Sequence, residues 1–420
     1  MKKKLLLLFI LGTTFLACKD DDNSEYSMQN IATPIVIDKA DLRASFNQLE
    51  VGDPKPIENS GKFYAYGDYI FINDIGAGIH IIDNTNPSAP VKKGFLKVPG
   101  SKDMEARDNI LYVDSYSDLV LFDLSNINNI KYLKSYENIL GNNSYEWPLF
   151  TQNVDQVDYD AFDSSSQIVV GWEYSRELRP VVRYDYMENG GLVNTANGTD
   201  GFSGSGQGGS FARFNVVNDR LYIINEGQLF VFDVSNQENP VVTGKQNLDW
   251  NVETIFNQDD YLYLGSPNGM HIYDIADVDH PTAVSVIDHL FGCDPVVVEG
   301  DYAYVTVRGG NNCGQDLSFL EVIDISDKSN PQIVKDYDMI EPYGLGIHGG
   351  QLFVSDGQYG LHIYDKTDPK ALKLVENKGN LNVFDVIPLE DKLLMIGGQT
   401  LHQYKYIDGG ISEMSTFQLN

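Results

Sequence analysis

Gly78-Ile79-His80-Ile81-Ile82-Asp83-Asn84-Thr85-Asn86-Pro87 is the stretch on which the fold turns. A short run of Ile and His ends in Asp, and a cluster of Asn, Thr and Pro follows. The pattern returns at Leu119-Val120-Leu121-Phe122-Asp123, Leu229-Phe230-Val231-Phe232-Asp233 and Met270-His271-Ile272-Tyr273-Asp274. Leu320-Glu321-Val322-Ile323-Asp324 and Leu361-His362-Ile363-Tyr364-Asp365 are two further copies, and Leu401-His402-Gln403-Tyr404 is a final variant. The aspartates stand 40, 110, 41, 50 and 41 residues apart, so the gap of 110 has room for one degenerate unit with insertions. Self-similarity at this period means a repeat architecture.

A second apolar segment precedes each copy, as in Asp68-Tyr69-Ile70-Phe71-Ile72 and Asp260-Tyr261-Leu262-Tyr263-Leu264. Ser166-Gln167-Ile168-Val169-Val170 supplies one for the gap, which makes eight hairpins. Further apolar segments flank each hairpin, so one unit is four short strands rich in Tyr, Ile and Val, bounded by turn residues. Four strands in forty-odd residues is the period of a β-propeller blade. The expected fold is all-β: a single propeller of four-stranded antiparallel blades, eight in number, with seven as the alternative. The aspartates that end the units read as turn formers whose oxygens satisfy backbone amides, not as catalysts.

The chain has 420 residues, with 30 Lys+Arg against 60 Asp+Glu and a formal net charge of −30. With 25 Tyr and 20 Phe it has ample apolar surface for a packed core. So acidic a chain repels phosphate backbones, which excludes nucleic acid as a partner.

Lys2, Lys3 and Lys4 precede the apolar run Leu5 to Leu11, too short to span a bilayer and suited to a secretory signal. Phe15-Leu16-Ala17-Cys18 follows and resembles the lipobox of bacterial lipoproteins, which implies diacylation of Cys18. Removing residues 1–17 takes away three lysines and leaves 27 basic against 60 acidic residues, a charge of −33. Lys19-Asp20-Asp21-Asp22 resembles the acidic signal that sends Bacteroidota lipoproteins to the cell surface; otherwise it is a solvated tether. The expected location is the outer membrane, lipid-anchored and surface-exposed, with a periplasm-facing anchor as the fallback. Two cysteines remain, Cys293 and Cys313. In an oxidising compartment they read as a disulfide closing a loop of about 20 residues, worth about 3 kcal/mol; two free buried thiols are the alternative.

Gly-Leu/Ile-His-Ile-Tyr/Ile-Asp together with Val322-Ile323-Asp324-Ile325-Ser326-Asp327 resembles the LVIVD-repeat family of bacterial propeller lipoproteins. The likeness extends through Lys62 to Asn73 and Cys293 to Thr306, and covers nearly all of residues 57 to 406, with residues 138 to 210 departing from it. It implies a fold and a location, and no reaction.

Catalytic and metal motifs are scarce. There is no His-Glu-x-x-His or CxxC, and Asp158-Tyr159-Asp160 starts like a calcium loop but meets Phe162 where the next ligand belongs. His80, His271, His362 and His402 share one repeat position, which reads as packing between blades rather than metal binding. Gly204-Ser205-Gly206-Gln207-Gly208 has a serine between glycines but lies in a Gly/Ser-rich stretch, Asn189 to Ser210, read as a flexible loop without the strand and helix of a nucleophile elbow.

One weak constellation is left. The residues opening the inner strands are Lys102/Asp103, Arg213, Glu253, Asp294, Tyr343 and Asp385. Inner-strand starts converge at the mouth of a propeller's channel, where a mostly acidic ring would suit a divalent cation such as calcium or a cationic ligand; the bland reading is solvated strand ends. Trp147, in the insertion 138–156, is a candidate binding aromatic on the same face, or a cover for the irregular third unit. No catalytic residue, resident metal or cofactor is assigned. The division expected is signal peptide 1–17, acidic tether 18–30, N-terminal arm 31–56 with a strand (Pro34 to Asp38) and a helix (Asp41 to Asn47), and propeller 57–420. The favoured function is a non-enzymatic binding scaffold with a protein or glycan partner; the second is an extracellular hydrolase or lyase acting on glycan or peptide at the channel mouth.

Overall fold

The computed structural model describes residues 26–140, 154–180, 207–210, 212–225, 227–248, 252–266, 269–288, 295–309 and 317–420. Their dominant feature is a series of seven antiparallel sheets whose four core strands pair in chain order. We number these blades 1 to 7: residues 60–97, 104–136, 214–247, 254–288, 296–338, 345–378 and 385–418. First strands of successive blades pack side by side, including those of blades 2 and 3. Each blade shifts register at the same place between its third and fourth strands, for example between Ile81 and Ile82 and between Ile363 and Tyr364. A bulge repeated there adds local twist to every blade.

The terminal aspartates work as the sequence indicates. Asp83, Asp123, Asp233, Asp274, Asp324 and Asp365 each accept a hydrogen bond from the backbone N–H two residues on, at 2.7–3.1 Å. These bonds fix the chain reversal that a third-to-fourth-strand turn needs. The second strands carry a repeated tyrosine, Tyr112, Tyr222, Tyr263 and Tyr304, buried in all four blades. Two of these hydroxyls donate to the terminal turn of the following blade: Tyr112 to the Gln237 carbonyl at 3.3 Å, Tyr222 to the Val278 carbonyl at 2.8 Å. One residue type thus fills the blade and ties it to its neighbour.

Blade 7 meets blade 1 without exchanging a strand. The Lys92 ammonium donates to the Leu419 carbonyl at 2.7 Å, and the same carbonyl accepts from the Ile57 N–H at 3.1 Å. Ile387, Leu394, Leu401 and Leu419 join one apolar cluster with Phe63, Ile72 and Ile81 of blade 1.

An eighth sheet is of a different kind. The strand Tyr26–Asp38 pairs antiparallel with Gln167–Pro180 and, over two residues, parallel with Gln156–Val157. Among the described residues the eight hairpins give seven four-stranded blades and, as the eighth sheet, a three-stranded ribbon. The unit at Ser166 to Val170 finds its partner more than 120 residues upstream, because Ile168 and Val169 pair with Ile37 and Val36. The strand starts at Tyr26, so residues 26–30 belong to this ribbon and not to a tether. The helix follows as Lys39–Phe46, close to the expected place. Its Leu42 and Phe46, four residues apart, face the core, with Phe46 5.9 Å from the Tyr132 ring of blade 2. Arg43 grips Asp118 through two hydrogen bonds of 2.7 and 2.9 Å.

Candidate functional site

The channel is occupied by the protein's own chain. Gln207–Gly208 pairs with Ala65 and Tyr64 along the inner edge of blade 1. Ser210 and Ala212 reach other blades: the Ser210 hydroxyl accepts from the Leu345 N–H of blade 6 at 2.8 Å, and the Ala212 carbonyl accepts from the Ile255 N–H of blade 4 at 2.6 Å. Close approach here requires glycine. A Cβ on Gly209 would lie 1.7 Å from an Asp385 carboxyl oxygen, and one on Gly344 would lie 2.0 Å from the other.

Around this segment four charged groups form a network in which Lys62, Asp103 and Asp114 are buried and Arg213 is partly exposed. The Lys62 ammonium is 2.5 Å from an Asp103 carboxylate oxygen, both side chains being at most 1% exposed. Arg213 donates its backbone N–H to the same oxygen at 3.1 Å, and its guanidinium reaches Asp114 at 2.6 Å. Asp114 also accepts from the backbone N–H groups of Lys102 and Asp103, at 2.6 and 2.7 Å. Burial pushes the Asp103 carboxyl up, and the charges of Lys62 and Arg213 act against that push. In ionised form the two carboxylates and two cations sum to zero.

Asp385 stands beside them as a carboxyl of another kind. Complete burial pushes it up to about 8, against the Val386 and Ser210 backbone N–H groups and the Lys62 charge. One oxygen accepts from the Val386 N–H at 2.9 Å; the other is buried without a hydrogen-bond partner among the described residues. At neutral pH this side chain carries a proton.

Of the six inner-strand starts, Asp103, Arg213 and Asp385 come together here. Glu253 is half-buried, its N–H bonded to the Gly265 carbonyl at 2.8 Å. Tyr343 lies at the start of blade 6 with the Arg308 guanidinium 4.1 Å from its ring centre. Asp294, Trp147, Cys18, Cys293, Cys313 and Ser205 fall outside the described residues. The last residues of the expected flexible loop, 207–210, are the plug itself. The four repeated histidines sit within their own blades, bonded to Asp74, Ser266, Asn377 and Thr416 at 2.9–3.3 Å. Among the described residues no group of three or more His, Cys, Asp or Glu is placed to hold a metal ion.

Reasoning by strand starts misses Lys62, Asp114 and Ser210. Lys62 had a signal: it is a lone charge inside the apolar run Lys62-Phe63-Tyr64-Ala65-Tyr66. Asp114 lies in the second strand, where no counting from inner-strand starts reaches. Ser210 was hidden in a stretch whose composition reads as loop.

The opposite face carries exposed turn aspartates, among them Asp68, Asp108, Asp219, Asp301 and Asp327. A shallow cleft of about 470 Å³ opens there between blades 2 and 3, lined by Arg107, Asp108, Val216, Asn218 and Asp219.

Solved structures share this architecture. A protein from Lactobacillus plantarum aligns with a TM-score of 0.51 at 12% identity, over 85% of this chain and 98% of that one. The computationally designed Ika8 protein aligns at 0.50 and 9% identity over 86% and 89%. The Pseudomonas aeruginosa periplasmic gluconolactonase PpgL aligns at 0.50 and 10% identity over 86% and 96%. At such identities the likeness is one of fold. No curated protein matches the chain. Residues 60–97 and 293–339 match the LVIVD repeat family, and these stretches are blade 1 and blade 5 with its flanking residues.

Proposed function

We propose that this protein is a lipid-anchored propeller of the outer membrane surface that acts as a non-enzymatic binding scaffold. The observation that carries the reading is the filled channel. Asp103 and Asp385, two carboxyls at the inner-strand starts, are fully buried, Asp385 against Gly209 and Asp103 against Lys62 and the Arg213 backbone. Recognition then falls to the loops and rims, the usual binding surfaces of a rigid scaffold. The basic and apolar N-terminal segment ending in Ala17-Cys18, and the acidic residues after it, support the address. A protein or glycan of the cell exterior is the partner this favours.

A second reading, an extracellular hydrolase or lyase, draws on one observation: Asp385 is a neutral carboxyl, the form a general acid needs. It would require residues 207–210 to move away from Asp385. The gluconolactonase lends it only a fold.

Radiolabelled palmitate incorporation that is lost in Cys18→Ser, with protease accessibility on intact cells, tests the address. Cross-linking on intact cells tests the role: a stoichiometric partner still recovered with Asp385→Asn supports the scaffold. Turnover of a glycan or peptide by purified protein that falls in Asp385→Asn replaces it with the enzyme.

A further inference from the structure

The ribbon made by Tyr26–Asp38 and Gln167–Pro180 is two-faced at its outer end. Tyr26 lies opposite Pro180 and Met28 opposite Leu178, and residues two apart on a strand share a face. Tyr26, Met28 and Leu178 are 56%, 51% and 63% exposed on that face. The intervening pairs point the other way: Ser27 opposite Arg179, and Gln29 opposite Glu177. There Arg179 pairs with Glu177 at 3.0 Å and Asp158 at 3.6 Å. The base of the ribbon, at Ile37, Ile168 and Val170, joins the apolar core, and its middle packs Ala32 and Trp172 against Val154 and Val157. The apolar patch is confined to this outer end, because the next pair on the same face is Asn30 opposite the exposed Arg176, a side chain whose cationic head can reach toward lipid headgroups.

Where this end sits selects its occupant. Tyr26 is the first residue of the strand, and seven residues separate it from Cys18. Fully extended, they span at most about 25 Å. If Cys18 holds the chain in a bilayer, as proposed above, the ribbon's apolar end cannot leave the neighbourhood of the lipid headgroups. Tyrosine at an interface with Met, Leu and Pro beside it matches that environment. A contact too weak to hold a free protein suffices here, because the anchor supplies a high effective concentration. The charge of −33 on the chain from Cys18 onward repels an anionic surface, so the matching lipid is zwitterionic or neutral.

We propose that the apolar face bearing Tyr26, Met28 and Leu178 rests on the outer leaflet as a second, non-covalent membrane contact that sets how the propeller stands on the cell. This deepens the anchoring reading and rests on it.

The test uses the full chain, expressed in cells and then held in phosphatidylcholine vesicles, with p-benzoyl-phenylalanine replacing Met28, Leu178 or Arg179. Palmitate incorporation is read on the same samples. The expected result is lipid adducts at 28 and 178 at several times the yield at 179. Equal yields on both faces overturn the proposal, as do adducts mapping to residues 181–206 or to a second copy of the chain. Palmitate incorporation without face-selective adducts sinks the contact and leaves the anchor standing; absence of both sinks the two together. Two probe sites on the apolar face guard against one variant that misfolds.

Discussion

Asn84 and Gln403 exchange two hydrogen bonds, at 3.0 and 2.7 Å, across 319 residues of sequence. One belongs to the terminal turn of blade 1 and the other to the third strand of blade 7. Both are buried, and together they join the ends of the chain where no strand is exchanged. Each amide gives one N–H to the other's oxygen, so neither buried side chain is left without a partner.

Gln403→Ala leaves the Asn84 amide buried without its partner and costs about 1–3 kcal/mol. Asn84→Ala/Gln403→Ala together costs less than the sum of the two single changes, because the second removes a group already orphaned. Urea unfolding of the four proteins gives the coupling; strict additivity would mean that the pair does not close the ring.

Lys62→Met strands the Asp103 carboxylate in the channel with its nearest cation gone. The expected loss is about 3–5 kcal/mol. Lys62→Met/Asp103→Leu recovers much of it, since an apolar pair of similar volume has no charge to desolvate. Denaturant midpoints decide this, and a double variant no better than the single would place the stabilisation in packing instead of charge.

Asp385 makes stability depend on pH with a negative slope. It takes up its proton at about 8 in the native chain, against about 4 unfolded, so between those values the folded state holds a proton that the unfolded state has lost. Its contribution is therefore greatest below about pH 4 and falls as pH rises toward 8, by up to about 1.4 kcal/mol per unit. Asp385→Asn keeps the shape and removes the titration. The variant should gain on the wild type steadily from pH 5 to pH 8, measured by urea midpoints at each pH; a constant difference would show that Asp385 titrates normally.

Tyr222→Phe and Tyr263→Phe separate the two roles of the repeated tyrosine. The Tyr222 hydroxyl has the Val278 carbonyl at 2.8 Å, whereas the Tyr263 hydroxyl is buried with no hydrogen-bond partner among the described residues. Losing the first costs about 1 kcal/mol; losing the second is neutral or stabilising, since the hydroxyl no longer has to be desolvated. Thermal unfolding of the two variants side by side is the check, and equal losses would contradict the distinction.

The repeat dictated the blades. Each unit keeps its four strands within about forty residues, six with an Asx turn and four with a buried second-strand tyrosine, and local pairing and turn chemistry are what a linear sequence encodes best. The histidine position and the turn aspartates could be recognised as structural for the same reason. What tertiary structure alone decided is where distant segments meet. Ser166 to Val170 looks like any other blade strand, yet it pairs with a strand more than 120 residues earlier and leaves seven four-stranded blades among the described residues. Gly209 and Ser210 look like loop, yet they reach Asp385 and Leu345. Asp103, Arg213 and Asp385 were placed at the axis by counting, but their charge state was not readable, because it depends on Lys62, on Asp114 and on burial by a segment with no repeat of its own. Charge in an interior is set by neighbours through space, and the spacing of residues along a chain does not record them.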